Sequence, residues 1–134
     1  MMKRILTITA IASLMFSCTQ KQEDNQAELA GNAAKQYYSY LLKGDYDSFV
    51  DGTLRQDSIL REEYRTQLLE NARMFVAQQQ KEHQGIKSVS VKKVDLDSVK
   101  GNAANVFLIL NYGDKGSEQV LMPMVKSGGL WYMK

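Results

Sequence analysis

One cysteine, one proline, one histidine and one tryptophan among 134 residues remove several chemistries at the outset. A lone cysteine, Cys18, cannot close a disulfide within the chain, so the fold has to hold by packing alone. With His83 as its only histidine and no second thiol, the chain has no zinc-type ligand spacing, and the reading here is no metal and no cofactor. The longest apolar stretch, Ile5–Phe16, is twelve residues, short of the roughly 20 that a membrane-crossing helix needs. Charge of one sign is also missing. With 17 basic and 15 acidic side chains and no basic stripe, nothing recommends a nucleic-acid partner.

What is present begins at the N-terminus. Lys3 and Arg4 precede the apolar stretch, which runs into Leu14-Met15-Phe16-Ser17-Cys18. This segment resembles the lipobox of a bacterial lipoprotein signal peptide, with Met15 where leucine is more usual. The resemblance implies cleavage before Cys18, acylation of its thiol and a membrane anchor; two or three acyl chains hold far more firmly than one. Residues 1–17 are then signal, residues 18–26 an acylated cysteine and polar tether, and residues 27–134 a single domain. Without Lys3 and Arg4, 15 basic side chains face 15 acidic ones. Thr19 is not the aspartate that retains some lipoproteins at the inner membrane, which favours the outer membrane. The Lys21-x-Glu23-Asp24 cluster is similar to export tags of surface lipoproteins and equally explained as a solvated tether, so the periplasmic and surface faces both stay open.

Helical spacing comes first along the domain. From about Asn25 to Lys43, Ala30, Ala33, Ala34, Tyr37, Tyr38, Leu41 and Leu42 form one apolar stripe, and Gly44 supplies the stop. Asp45 is placed to cap a short helix carrying Tyr46, Phe49 and Val50. A third helix is expected from about Ser58, capped by Asp57, to His83, with Leu60, Tyr64, Leu68, Leu69, Ala72, Phe75 and Val76 on one side. Gly85 ends it.

After Gly85 the period becomes two. Val89 and Val91 alternate, and Val94 and Leu96 alternate in the opposite phase, so a bulge is expected across Lys92-Lys93. Ala104–Tyr112 is apolar on both faces and reads as a central strand covered on both sides. Gly113–Gly116 makes a hairpin into Val120–Val125, where Pro123 requires an open edge or a bulge. Ser127-Gly128-Gly129 turns into a last strand, Leu130–Met133. Helices followed by a meander indicate an α+β fold, with N-terminal helices packed on a curved four-stranded antiparallel sheet, a cone-shaped roll.

An N-terminal helix with Tyr37-Tyr38 leads into Gly44-Asp45-Tyr46-Asp47-Ser48-Phe49, then a helix, then a meander ending Gly128-Gly129-Leu130-Trp131. That order resembles the nuclear transport factor 2-like superfamily, and more narrowly small bacterial lipoproteins of that fold, over about Ala27 to Lys134. The resemblance implies a cone interior that enzymes of the superfamily use as an active site, and a homodimer through the outer sheet face. Those enzymes carry a buried Asp or His base and a Tyr or Asp donor.

The residues themselves supply little of that equipment, and no catalytic residue is assigned. His83 sits in the last turn of a charged helix, where a cation suits the C-terminal end. Asp45, Asp47 and Asp51 are explained as caps and solvated surface. Asp95 and Asp97 fit the polar side of a half-buried strand, while Asn105 and Asn111 are the polar exceptions expected towards the helices. Tyr37, Tyr38, Tyr64, Phe75, Phe107, Tyr112 and Trp131 are candidates to line an apolar pocket; the same spacing also serves an ordinary core. The leading reading is therefore a non-enzymatic, membrane-anchored envelope lipoprotein that binds a small apolar ligand or an envelope protein. The alternatives are an isomerase, hydratase or cyclase working inside the cone, and a structural accessory subunit of an envelope complex.

Overall fold

The computed structural model describes residues 12–53, 62–97 and 99–134, with the side chains of the first helix described from residue 25 onward. Helix α1 (Ala12–Lys43) starts upstream of Asn25, where the apolar stripe begins. Residues 19–26 contain neither glycine nor proline, and their glutamines, lysine and glutamate are good helix formers, so nothing local stops the helix there. The end of α1 follows the expected rule. Gly44 takes a left-handed conformation (φ 76°), its N–H reaches Leu41 O at 3.2 Å, and the Asp45 N–H reaches Tyr40 O at 2.9 Å. This pair of bonds is a Schellman motif.

Asp45 then caps α2 (Tyr46–Asp51), its carboxylate accepting from Ser48 N at 3.2 Å and Ser48 Oγ at 2.7 Å. Helix α3 runs Glu62–His83; the expected start near Asp57 and Ser58, with Leu60, falls outside the described residues. Its stop differs by one position from expectation: Gln84 adopts the left-handed conformation (φ 62°) ahead of Gly85 (φ 86°), and Gly85 N–H bonds back to Gln79 O at 3.0 Å.

The sheet is an antiparallel meander in the order β1-β2-β3-β4, with β1 Ile86–Leu96, β2 Ala103–Tyr112, β3 Ser117–Ser127 and β4 Leu130–Met133. The opposite phases in β1 resolve as expected. Val89 and Val91 pair with Leu110 and Leu108, the register shifts between Val91 and Lys93, and Val94 and Leu96 then pair with Val106 and Ala104. The extra residue, Lys92, keeps all four apolar side chains on the helix side. Pro123 lies opposite Asn105, and its carbonyl accepts from Lys134 N–H at 3.0 Å. The N and O of a strand residue point the same way, so the missing N–H faces just past the end of β4 and no ladder bond is lost.

The expected covering of β2 on both faces fails. The helices cover only one face of the sheet, so β2 is buried on alternate residues (Ala104, Val106, Leu108, Leu110, Tyr112), while Phe107 and Ile109 on the other face stay partly exposed. Continuous hydrophobicity in a strand does not reveal whether a second layer exists to cover it.

Small residues decide how closely α1 lies on the sheet. Ala30 and Ala34 are fully buried, and a Cβ on Gly31 would stand 3.1 Å from Val94 Cγ2 and 3.3 Å from Val91 Cγ1. With these three positions small, the helix approaches β1 until Val91 and Val94 pack on its backbone. The core then fills from the sheet side with Leu108, Leu110, Val106 and Met124. Leu42, placed on the stripe by spacing, ends up more than a third exposed. Among the described residues no helix is long and apolar enough to cross a membrane.

Candidate functional site

The three helices do not close completely on one another. An apolar cleft of about 240 Å³ remains between them, walled by Tyr38 and Leu41 of α1 and by Phe49 and Val50 of α2. Leu68, Ala72 and Phe75 of α3 complete the walls, and Thr53 and Asn71 are the polar residues beside them. The geometry of α2 explains the gap. At six residues it is too short to fill the space between two long helices, and it is pinned rather than collapsed inward. Arg65 on α3 reaches Asp51 at 2.6 Å and Asp47 at 3.0 Å, so one guanidinium ties the outer edge of α2 to α3. These carboxylates are more than half exposed, so each contact contributes about 0.2–1 kcal/mol and serves mainly to orient.

Within the cleft, Tyr38 meets Phe49 edge to face, with centroids 6.2 Å apart at 81°. Burial pushes the Tyr38 phenol above its ordinary pKa, and the carboxylate of Glu118 pushes it further in the same direction. It remains a neutral hydroxyl. Among the described residues no charged side chain lines the cleft.

A second cluster lies where α3 meets the β2–β3 turn. Tyr112 donates to Glu118 Oε1 at 2.7 Å, and its pKa is pushed up to about 12, first by burial and then by that bond. The His83 ring stacks on Tyr112 with centroids 4.1 Å apart and planes within 12°. His83 Nδ1 lies 3.1 Å from Asp114 Oδ2, and Asp114 N–H returns to His83 O at 3.0 Å. Gly116 N–H, and after it His83, hold the Asp114 carboxyl below the usual carboxylate range. No hydroxyl nucleophile joins His83 and Asp114 among the described residues, so the group clasps the helix end to the turn. Glu118 is the inward-facing carboxylate that sequence reasoning passed over. Counting back by two from Met122 and Val120, which point to the helices, would have found it.

The seven aromatics expected at a pocket do not converge. Tyr38 and Phe75 line the cleft. Tyr37 and Trp131 lie instead at a shallow groove of about 330 Å³ between α1 and β4, where the Tyr37 hydroxyl donates to Trp131 O at 2.6 Å. The Trp131 indole is buried, and its Nε1 has no hydrogen-bond partner among the described residues. Tyr112 is core. Tyr64 points outward from α3 and is 55% exposed. Phe107 faces away from the helices, with the Lys93 ammonium 4.7 Å from its ring centroid. Helical or strand spacing identifies a common face, but it does not tell which of several neighbours that face meets.

The carboxylates fall out differently from one another. Asp45 caps, Asp47 and Asp51 pair with Arg65, and Asp95 sits opposite Asn105 on the open sheet face. Asp97 organises the β1–β2 turn, its Oδ1 accepting from Val99 N at 3.0 Å. Asn105 and Asn111 also lie on the open face, contrary to expectation; Asn111 Nδ2 donates to Ser88 Oγ at 3.0 Å. No group of three or more His, Cys, Asp or Glu side chains able to hold a metal occurs among the described residues. Cys18 lies on the α1 backbone, and its side chain falls outside the described residues.

No protein-family model matches the sequence, and no curated protein matches it. Solved structures do match. One, from Campylobacter jejuni and provisionally described as an NTF2-like transpeptidase, superposes with a TM-score of 0.62 over 76% of this chain and 94% of that one. The fold is nuclear transport factor 2-like. Sequence identity across that match is 13%, so the likeness speaks to architecture alone. In the frame of this fold, the interhelical cleft is an apolar space partly enclosed by all three helices, and the Tyr112–Glu118 pair lies on the helix-facing side of the sheet.

Proposed function

We propose that this chain is a non-enzymatic lipoprotein of the cell envelope that binds a small apolar ligand in the cleft between its three helices. The observation that carries the reading is the cleft itself. It is lined almost wholly by aliphatic and aromatic side chains, with Thr53 and Asn71 beside them, which is the usual make-up of a small-molecule site. Its volume of about 240 Å³ exceeds the roughly 150 Å³ of an engineered apolar cavity that takes up benzene. The enzymatic alternative has less support. Glu118 is occupied by Tyr112 and His83 by Asp114, neither with a nucleophile at hand among the described residues. Transfer chemistry of the kind attached to the Campylobacter protein needs an activated nucleophile, and the one thiol, Cys18, belongs in this reading to the anchor.

Anchoring through acylated Cys18 places the domain at a membrane surface, with the outer membrane favoured. The expected result is that Cys18→Ala moves the protein from the membrane fraction to the soluble fraction. Retention in the membrane pellet would end the anchor claim. For the cleft, the test is native mass spectrometry of the protein released from lipid nanodiscs after exposure to a small-molecule extract. A retained adduct that disappears in Ala72→Phe, which fills the cleft, supports the reading. An adduct unaffected by that change would place binding elsewhere.

The open sheet face favours a protein partner as a second reading. Leu121 is 51% exposed beside the partly exposed Phe107 and Ile109. Two copies meeting through this face would form the homodimer that the superfamily resemblance implies. Sedimentation of the wild type against Leu121→Lys tests this; a monomer in both cases would remove it.

A further inference from the structure

The cleft carries more information than its apolarity, and the following rests on the reading of it as a ligand site. Besides the phenol of Tyr38, its polar residues are Thr53 and Asn71, and both are unspent. Neither the Thr53 hydroxyl nor the Asn71 amide is hydrogen-bonded to any described residue, although nearby polar groups such as Asp45, Ser48 and Thr66 all are. Asn71 is exposed and Leu41, Val50 and Ala72 are buried, so Asn71 marks the mouth and those three the depth, with Thr53 half-buried like Phe49 and Phe75 between them. Thr53 is held in place by its own backbone: its N–H bonds Val50 O at 3.0 Å, and it bridges to Met133 at the end of β4. Asn71 stands on the preceding turn of α3 from Phe75, four residues away along the helix face.

Charge narrows the ligand further. Among the described residues no cation lines the cleft to meet an anion. The arginines of α3 are engaged, Arg65 with Asp47 and Asp51, and Arg73 with Glu70 at 3.3 Å and over the Tyr46 ring. The carboxylate that acts on Tyr38 from the sheet side is Glu118, which repels a second negative charge. Size sets the remaining limit. If roughly 150 Å³ accepts one benzene ring, about 240 Å³ accepts on the order of ten carbon atoms, two fused rings or their aliphatic equivalent.

We infer that the cleft selects an uncharged molecule of about ten carbons that carries a single hydroxyl-type group, its apolar body between Phe49 and Phe75 and its hydroxyl at Asn71 and Thr53. An amide offers both a donor and an acceptor, as a hydroxyl does, so the pair is matched in kind as well as in position.

The experiment uses three probes of one shape: naphthalene, 2-naphthol and 2-naphthoate. Each is equilibrated by dialysis against the anchored protein in lipid nanodiscs, with empty nanodiscs as the blank. The expected order is 2-naphthol tightest, by roughly three- to tenfold over naphthalene, the equivalent of one added hydrogen bond, with 2-naphthoate weakest. Asn71→Leu, a change at an exposed position, should bring 2-naphthol down to the level of naphthalene while leaving naphthalene itself unchanged; Thr53→Val should act in the same direction. Equal binding of 2-naphthol and naphthalene, or tightest binding of 2-naphthoate, overturns the inference while the cleft reading stands, provided Ala72→Phe abolishes the binding. No binding of any probe, or binding that Ala72→Phe leaves intact, overturns the cleft reading and the inference together.

Discussion

Replacing Gly52 with alanine should destabilise the domain by about 2–4 kcal/mol, although the site looks permissive. Gly52 ends α2 at φ −77° and ψ −3°, a right-handed conformation that alanine adopts freely, so backbone strain contributes nothing. The cost is steric. A Cβ there would stand 2.9 Å from Tyr37 Cζ and closer still to two other atoms of the same ring. Overpacking of this kind costs about 1–3 kcal/mol, because the ring or the α2 end has to move. If the ring moves, its hydroxyl leaves Trp131 O, now 2.6 Å away, and about 0.5–1.5 kcal/mol goes with that bond. If the backbone moves, the 2.7 Å bond from Met133 N–H to Gly52 O suffers instead, and with it the docking of β4. Urea denaturation gives the single-variant cost, and a double-mutant cycle with Tyr37→Ala isolates the mechanism. With the ring gone, Gly52→Ala should cost less than about 0.5 kcal/mol, a strongly non-additive result. Additive costs would show that the ring is not what the new methyl meets, and would refute the packing argument.

Three further outcomes are expected. Leu108→Ala, at a fully buried position in the middle of β2, should lose about 2–5 kcal/mol in the same denaturation assay; a loss below about 1 kcal/mol would contradict the placement of the core. Tyr112 should titrate near 12 by tyrosinate absorbance, and Glu118→Gln should lower that midpoint. Because the fold favours the neutral phenol, the stability it contributes is complete below the ordinary tyrosine pKa of about 10 and is lost as pH rises towards about 12; a normal Tyr112 titration would refute the buried bond. For Asp114 the sign reverses. Its carboxyl is held low by Gly116 and His83, so its contribution is present above the usual carboxylate range and lost as pH falls through the lower folded value. Asp114→Asn should therefore flatten the acid limb of the stability curve, and an unchanged limb would remove the clasp.

Local rules, where they applied, transferred well from sequence to structure. Gly44 and Asp45 form the joint between α1 and α2 because a left-handed residue and a capping carboxylate act on their immediate neighbours, whatever the rest of the chain does. The phase slip at Lys92-Lys93 foretold a bulge because a half-buried strand cannot turn its apolar residues to both sides. Pro123 likewise announced an open edge. What was misplaced shares one property: it depends on which surface another element covers. Phe107 and Asn105 were assigned by composition, and the single helical layer sends both to the open face. Tyr64 carries the same periodic signal as Leu68 and Phe75, yet α3 rests on its neighbours over too narrow an arc to cover it.

The sequence by itself determined the α+β order of elements, the turns that join them and the apolar face of each, since these follow from backbone conformation and from periods of 3.6 and 2. Only the tertiary structure decided where space remains. Whether Tyr38, Phe49 and Phe75 touch or stand apart is set by the shortness of α2, by the hold of Arg65 on Asp47 and Asp51, and by how closely Gly31 lets α1 settle on the sheet. A cavity is the difference between large volumes placed by distant parts of the chain, and no local pattern of residues encodes a difference of that kind.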